Sequence, residues 1–451
     1  MEIAIRNPSD PKIKRSINLL NSYNRNEPIY NQAINDSFAH IRSEVSDNGY
    51  VKASSEYLWY EPHWFRDSSF ISMAISDFAK YAKASSKEIV QSRELAHKIN
   101  IFNLKAIERR LDSIKAALEK RYEDPDFYKL KNHMAARVDK DLNLFKKSYG
   151  NGAGVDDTIE DFNTWLRQYD TIPLILMALD EEGSTFGWDA EEKEFIRKYS
   201  RIITYYLGKI YPTPSSNAWE IETDYIHAYD IAAIYKAKEI LKGFSEKGLF
   251  NMPKDEIEKS FNIMYQNGGI IGALRDHVSN GILYRRRKPY QPPDISAGVD
   301  SEEIFIFRRF GITDAELGDN VVKNTLDKIR GDLFNGNVLP IRNLQDDYFL
   351  GGRWLITGLE YAMICCDRGD YLSSERIINY VIRKHMREMP EQELVNVAHP
   401  ESENGKRDLM RNNGVPIKKL NWSYAALMSA IVKFESDFAR NAFDQNRMLL
   451  R

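Results

Sequence analysis

The sequence is short of cysteine. Cys365 and Cys366 are the two it contains, and they are adjacent, so a disulfide framework is excluded. It is short of net charge as well: 63 basic against 66 acidic side chains leave −3, with a pI near 6.3. That balance argues against nucleic acid or an acidic membrane surface as partner. No apolar run approaches a membrane span, and the opening residues have no stretch of signal-peptide character, so the expected location is the cytoplasm. Metal-ligand spacing such as H-x-x-x-H is missing among the eight histidines, and neither a metal nor an organic cofactor is expected. His63 and His227 fall near the motifs below, where core or sugar-contact roles suit them better than metal ligation. Strand signals are scarce, residues 281–286 offering one.

What is present is helical periodicity. Apolar residues recur at helical spacing over 28–45, 66–83, 97–121, 126–147, 171–181, 190–210, 224–243, 254–275, 299–310, 316–330, 352–367, 372–387 and 422–437. Long loops rich in Gly, Pro, Asn and Asp separate them at 46–65, 148–166, 211–223, 277–298, 331–351 and 388–421. Six loops alternating with helix pairs predict an all-α toroid whose long connections gather at one end. An irregular bundle is the alternative. Residues 84–150 form a charged block, read as a solvated helical excursion. No linker is visible. The expected organisation is an N-terminal extension over 1–27 and one catalytic unit over 28–451.

The loops carry the chemistry. Trp64-Phe65-Arg66-Asp67-Ser68 places a donor and an acceptor at the mouth of a helix, suited to sugar hydroxyls. The same residues also suit a helix cap, with Arg66 neutralising Asp67. Trp165, Gln168 and Asp170 precede the next apolar helix, Trp165 and Asp170 being open to the same two readings. Trp219-Glu220 sets a carboxylate beside an aromatic, where apolar surroundings raise its pKa toward that of a general acid. Glu220 and Glu222 otherwise decorate a helix N-terminus. Arg342 and the segment Asp346-Asp347-Tyr348-Phe349-Leu350-Gly351-Gly352-Arg353-Trp354 follow, the glycine pair allowing a tight turn. Met389-Pro390-Glu391-Gln392 offers a second carboxylate. Glu401 and Glu403 lie beyond it, and Leu420-Asn421-Trp422-Ser423-Tyr424-Ala425 closes the series.

Taken in order, these segments resemble the catalytic domain of glycoside hydrolase family 15, the glucoamylase family, over roughly residues 28–437. The resemblance implies an (α/α)6 barrel and an inverting, exo-acting hydrolase that releases glucose from non-reducing ends. It implies that Glu220 is the general acid and Glu391 the general base. Arg66 and Asp67 would hold the terminal glucose, Trp165, Gln168, Asp170, Trp219 and Trp354 would line its pocket, and Arg342 would reach the next sugar. Glu403 is the alternative base, since it lies nearer Trp422-Ser423. One departure is Ile221, where fungal members carry a carboxylate after the acid; Glu222 can supply that contact. The shared motifs leave α,α-trehalase and α-1,6-glucan exo-glucosidase open as alternatives. From another class, a non-catalytic oligosaccharide-binding or regulatory toroid remains. A prenyl-processing toroid is disfavoured, because Asp346-Asp347 alone does not form its acidic motif. The expected partner is a small carbohydrate; oligomeric state is not readable.

Overall fold

The computed structural model describes residues 11–56, 60–81, 83–119, 136–143, 168–211, 213–215, 218–219, 224–262, 268–412 and 414–449. Sixteen α-helices occur among them: α1 (Pro11–Glu44), α2 (Phe65–Ala79), α3 (Ser86–Arg109), α4 (Leu111–Glu119), α5 (Thr171–Phe186), α6 (Ala190–Ile210), α7 (Ala228–Glu246), α8 (Lys254–Asn262), α9 (Gly269–Arg275), α10 (Glu303–Arg308), α11 (Asp314–Leu317), α12 (Val321–Ile329), α13 (Leu355–Asp367), α14 (Tyr371–His385), α15 (Glu403–Arg411) and α16 (Asn421–Leu449).

Packing sorts most of these helices into two rings. Helices α2, α5, α7, α10, α13 and α16 each pack on the next, and α16 returns to α2, closing an inner ring of six. Outside it, α1 and α14 lie on α16, α3 covers α2 and α5, α8 and α9 lie on α7, and α12 on α10. Helix α6 packs on α8 and α4. This is the all-α toroid expected from the alternation of helix pairs and long loops, in the (α/α)6 form that the family resemblance implies.

Sequence explains which helices go inside. The inner helices α5 and α13 are apolar on nearly every face; in α13 each residue from Leu355 to Glu360 is buried. A helix hydrophobic all round belongs in a core. Outer α6 instead exposes a charged face and buries Phe195, Ile196, Tyr199, Ile203 and Leu207, spaced for one stripe. The ring is filled by aromatics from several inner helices. Phe70 stacks on Trp422 at 4.8 Å, and Phe305 contacts both Tyr229 and Trp422. Burying each such ring contributes about 1.5–3 kcal/mol.

Several boundaries differ from expectation. The first helix begins at Pro11, and Ser22 and Asn26 bond Glu375 on α14, so residues before 28 share a helix with those after it. The stretch 97–121 is divided between α3 and α4, which meet at Arg110. The expected helix over 126–147 lies largely outside the described residues, and its described part is not helical. Arg137–Val138 pairs antiparallel with His63–Trp64, and Asp139 Oδ1 accepts the backbone N–H groups of Asp141 and Asn143. That side-chain turn competes with helix for the same amides, and Leu142 adopts φ +62°. Helix α15 falls in the segment 388–421 read as loop, and α11 begins two residues before the helix expected over 316–330. The strand expected over 281–286 is two short pieces, Ile282–Leu283 and Arg286–Arg287.

Candidate active site

Each inner helix starts where a long connection ends, and those starts meet at one mouth. Arg66 and Asp67 stand in the first turn of α2, both buried. The N-cap of α2 is Trp64, which makes no side-chain cap bond, so Asp67 and Ser68 are not the cap that their types allow. Arg66 Nε donates to Asp170 Oδ2 at 2.7 Å and Nη1 donates to the Ala218 carbonyl. Asp170 occupies the N-cap position of α5 but makes no cap bond there; its carboxylate is turned to Arg66 instead. One ion pair thus ties α2, α5 and the loop before α7. Gln168, two residues before Asp170 in the chain, is buried as well.

An aromatic wall follows. Trp219 and Trp354 pack with ring centroids 4.8 Å apart, and Tyr348 stacks near Trp354 at 6.2 Å. The Arg342 guanidinium lies 5.3 Å from the Trp219 ring, 5.4 Å from Tyr348 and 5.2 Å from Trp354. It also bonds Asp346. A cation over three ring faces holds the wall rigid. Trp219 Nε1 donates to Asp300 Oδ1 at 2.7 Å, while Asp300 Oδ2 accepts from Asn343 Nδ2 at 2.7 Å. Arg285, fully buried, lies 3.4 Å from the same oxygen and donates to Gln345 Oε1 at 3.0 Å.

Beneath this wall sits a buried acidic layer. Burial pushes the Asp300 carboxyl up, with Arg285 and the Trp219 N–H pulling against it. Burial, then the Asp300 charge, drives Glu302 well above the carboxylate range. Asp230 is raised by burial and then by Asp170. Isolation from water disfavours the charged form of each. His63, by contrast, is pushed down to about 4 by burial. It accepts from the Val51 N–H at 3.0 Å and meets Asn103 Oδ1 at 2.7 Å, a neutral core histidine.

Glu391 reaches the mouth through strand pairing. Arg353–Trp354 pairs antiparallel with Gln392–Glu393, and the Leu355 N–H donates to the Glu391 carbonyl at 3.2 Å. The pairing needs Gly352: a Cβ there would fall 2.6 Å from Gln392 Oε1 and 2.8 Å from the Glu393 carbonyl. Phe349, Leu350 and Gly351 all take positive φ, at 47°, 67° and 69°, so the turn before Trp354 stores strain. The Glu391 side chain is 5% exposed and accepts from Tyr60 Oη at 3.1 Å; Tyr60 also lies 3.3 Å from Tyr348 Oη.

Glu403 is elsewhere. It opens α15, its side chain is 82% exposed, and it pairs with Lys406 at 3.0 Å. Together with Gln345, Asp347, His399 and Glu401 it borders a surface cavity of about 640 Å³. Trp165 and Glu220 lie outside the described residues, as do Ile221 and Glu222. Of the other expected residues, Arg66, Asp170, Trp219, Arg342, Trp354 and Glu391 are gathered by the contacts above. Tyr60, Tyr348, Arg285, Asp300 and Asn343 belong to the same network and had not been singled out. Tyr60, Tyr348 and Asn343 stood inside segments already read, Asn343 directly after Arg342; Arg285 and Asp300 have no motif around them.

The fold places the chain among known structures. No family model and no curated protein matches the sequence. Solved structures do match its fold. A glycosidase, solved as the wild type, aligns with a TM-score of 0.68 at 17% identity, over 90% of this chain and 97% of that one. A variant of a glycosidase with one glutamate replaced by alanine, solved in complex with glucose, aligns equally well. The glucoamylase of Hormoconis resinae aligns at 0.55 and 13% identity, over 91% of this chain and 74% of that one. The family 15 glucoamylase of Hypocrea jecorina gives 0.53 and 14%, over 93% and 72%. The architecture is therefore the glucoamylase-like (α/α)6 barrel.

Proposed function

We propose that the protein is an inverting glycoside hydrolase that removes glucose from the non-reducing ends of α-linked oligosaccharides. The observation that carries this reading is the buried Glu391, held by Tyr60 beside the Trp219–Trp354–Arg342 wall at the common mouth of the inner helices. The similarity in fold to glycosidases and glucoamylases, one bound to glucose, supports the same class.

In this mechanism Glu220 protonates the departing glycosidic oxygen. Glu391 removes a proton from a water that attacks the anomeric carbon from the opposite face, and the two roles invert the configuration. Room for that water requires the two carboxyl groups to stand about 6.5–9.5 Å apart. Arg66 and Asp67 bind hydroxyls of the terminal glucose, Trp165, Gln168, Asp170, Trp219 and Trp354 line its pocket, and Arg342 contacts the second sugar. The Tyr60 hydroxyl donates to Glu391 Oε1 and so holds its carboxylate in place.

The test of the acid is Glu220→Gln, which should abolish turnover with an unchanged circular dichroism spectrum; near-normal activity would remove Glu220 from its role. Linkage is decided by initial rates on maltose, isomaltose and trehalose. Maltose as the preferred substrate supports the glucoamylase-type reading, whereas isomaltose or trehalose would move the assignment within the same chemistry. Binding of maltooligosaccharide with no hydrolysis of any of the three would make the chain a binding toroid.

A further inference from the structure

Away from the mouth, the junction of α3, α5 and α6 gathers one imidazole and three carboxylates. His97 lies on α3, Glu182 on α5, and Asp189 and Glu192 at the start of α6. Each acid has one oxygen fixed by the fold and the other turned to His97. Asp189 and Glu192 cap α6 reciprocally: Asp189 Oδ1 accepts the Glu192 N–H at 2.8 Å, and Glu192 Oε2 accepts the Asp189 N–H at 2.8 Å. That box is a common way to satisfy a helix start. It leaves Asp189 Oδ2 at 3.2 Å from His97 Nε2 and Glu192 Oε1 at 3.7 Å from Nδ1. Glu182 Oε2 is held by Asn100 Nδ2, and Glu182 Oε1 lies 3.5 Å from His97 Nδ1.

Two features set this group apart from an ordinary surface ion cluster. The Glu192 side chain is 1% exposed, and its Oε1 has no hydrogen-bond partner among the described residues although it faces the imidazole. Glu182 is 3% exposed. Three carboxylates thus face one imidazole, two of them with almost no access to water. His97 and Asp189 are about a third exposed, so the cluster is open to solvent on one side.

We propose that His97 Nδ1, Glu182 and Glu192 bind a divalent transition-metal cation of zinc type. Two ligands about 2 Å from one tetrahedral ion sit about 3.3 Å apart, close to the nitrogen–oxygen separations here. From His97 Nδ1 those separations are 3.5 Å to Glu182 Oε1 and 3.7 Å to Glu192 Oε1. An imidazole with carboxylates is a donor set zinc accepts, and the exposed side leaves a position for water. Asp189, on the other ring nitrogen, orients the imidazole as a positioning residue. The ion clamps the outer helices α3 and α6 to the inner helix α5. No sequence spacing announces the site, because its ligands come from three helices.

Metal-stripped protein titrated with zinc against a chromogenic chelator should bind one ion per chain, and the thermal midpoint should rise with zinc. His97→Gln and Glu192→Gln should each weaken binding at least tenfold and abolish that rise; Asp189→Asn should weaken it by about 10–100-fold. Cobalt bound to the wild-type chain should give the visible absorption of a tetrahedral site, a readout that needs no variant to fold. Absence of stoichiometric zinc binding up to millimolar concentration, an octahedral cobalt spectrum, or undiminished binding in His97→Gln would each overturn the proposal.

Discussion

The floor of the barrel mouth and its rim both carry acids, and they are built differently. On the floor, Glu391 and Asp170 are 5% and 0% exposed and are held by Tyr60 and Arg66. On the rim, Glu403 points into solvent, pairs with Lys406 and stands at its own helix start. Both glutamates belong to one connection between α14 and α16, twelve positions apart. What separates them is β pairing: Gln392–Glu393 is stitched to Arg353–Trp354, which fixes Glu391 at the start of an inner helix. In the proposed mechanism it is this ordering, and not the distance along the chain to Trp422-Ser423, that favours Glu391 over Glu403 as the base.

The sharpest way to break that comparison is to remove both acids separately. Glu391→Gln should lower kcat by about 10²–10⁴, the range of a lost general base, while Glu403→Gln stays within twofold; steady-state glucose release decides it. Reversed losses would move the base to the rim. Next in size is the ion pair on the floor. Asp170→Ala leaves the Arg66 charge buried and should cost about 3–5 kcal/mol in denaturant unfolding, whereas Lys406→Ala on the rim should cost under about 1 kcal/mol. A smaller effect is expected from Tyr60→Phe. Loss of one hydrogen bond to a charged group, about 1.5–3 kcal/mol, should reduce kcat at least tenfold with the fold intact.

Acid titration distinguishes the two regions most gently. Burial acts to raise the Glu393 carboxyl, but His385, Lys384 and Tyr380 outweigh it and hold the group at about 2. A carboxyl depressed on folding stabilises the protein above its unfolded pKa near 4.5 and loses that contribution as pH falls toward 2. Stability measured between pH 5 and pH 2 should therefore fall less steeply in Glu393→Gln than in the wild type.

The sequence made the toroid legible because two periodicities agree, helical spacing within elements and long loops between pairs. The loops at 46–65, 211–223, 277–298, 331–351 and 388–421 do precede the inner helices α2, α7, α10, α13 and α16. Arg66, Asp170, Trp219, Arg342, Trp354 and Glu391 were legible because each belongs to a short motif at a helix start. Asp300 was not: nothing beside it indicates that it accepts the Trp219 N–H across 81 residues. Capping residue types misled at Asp67 and Asp170, where tertiary position rather than local preference decides what the carboxylate meets. The described part of 126–147 failed for a related reason, Asp139 drawing backbone amides into a turn.

The most direct test of the account is the anomeric form of the first glucose released from a maltooligosaccharide, followed by proton NMR before mutarotation. Two carboxylates working as acid and base on opposite faces predict β-glucose. Initial α-glucose would contradict the roles given to Glu220 and Glu391.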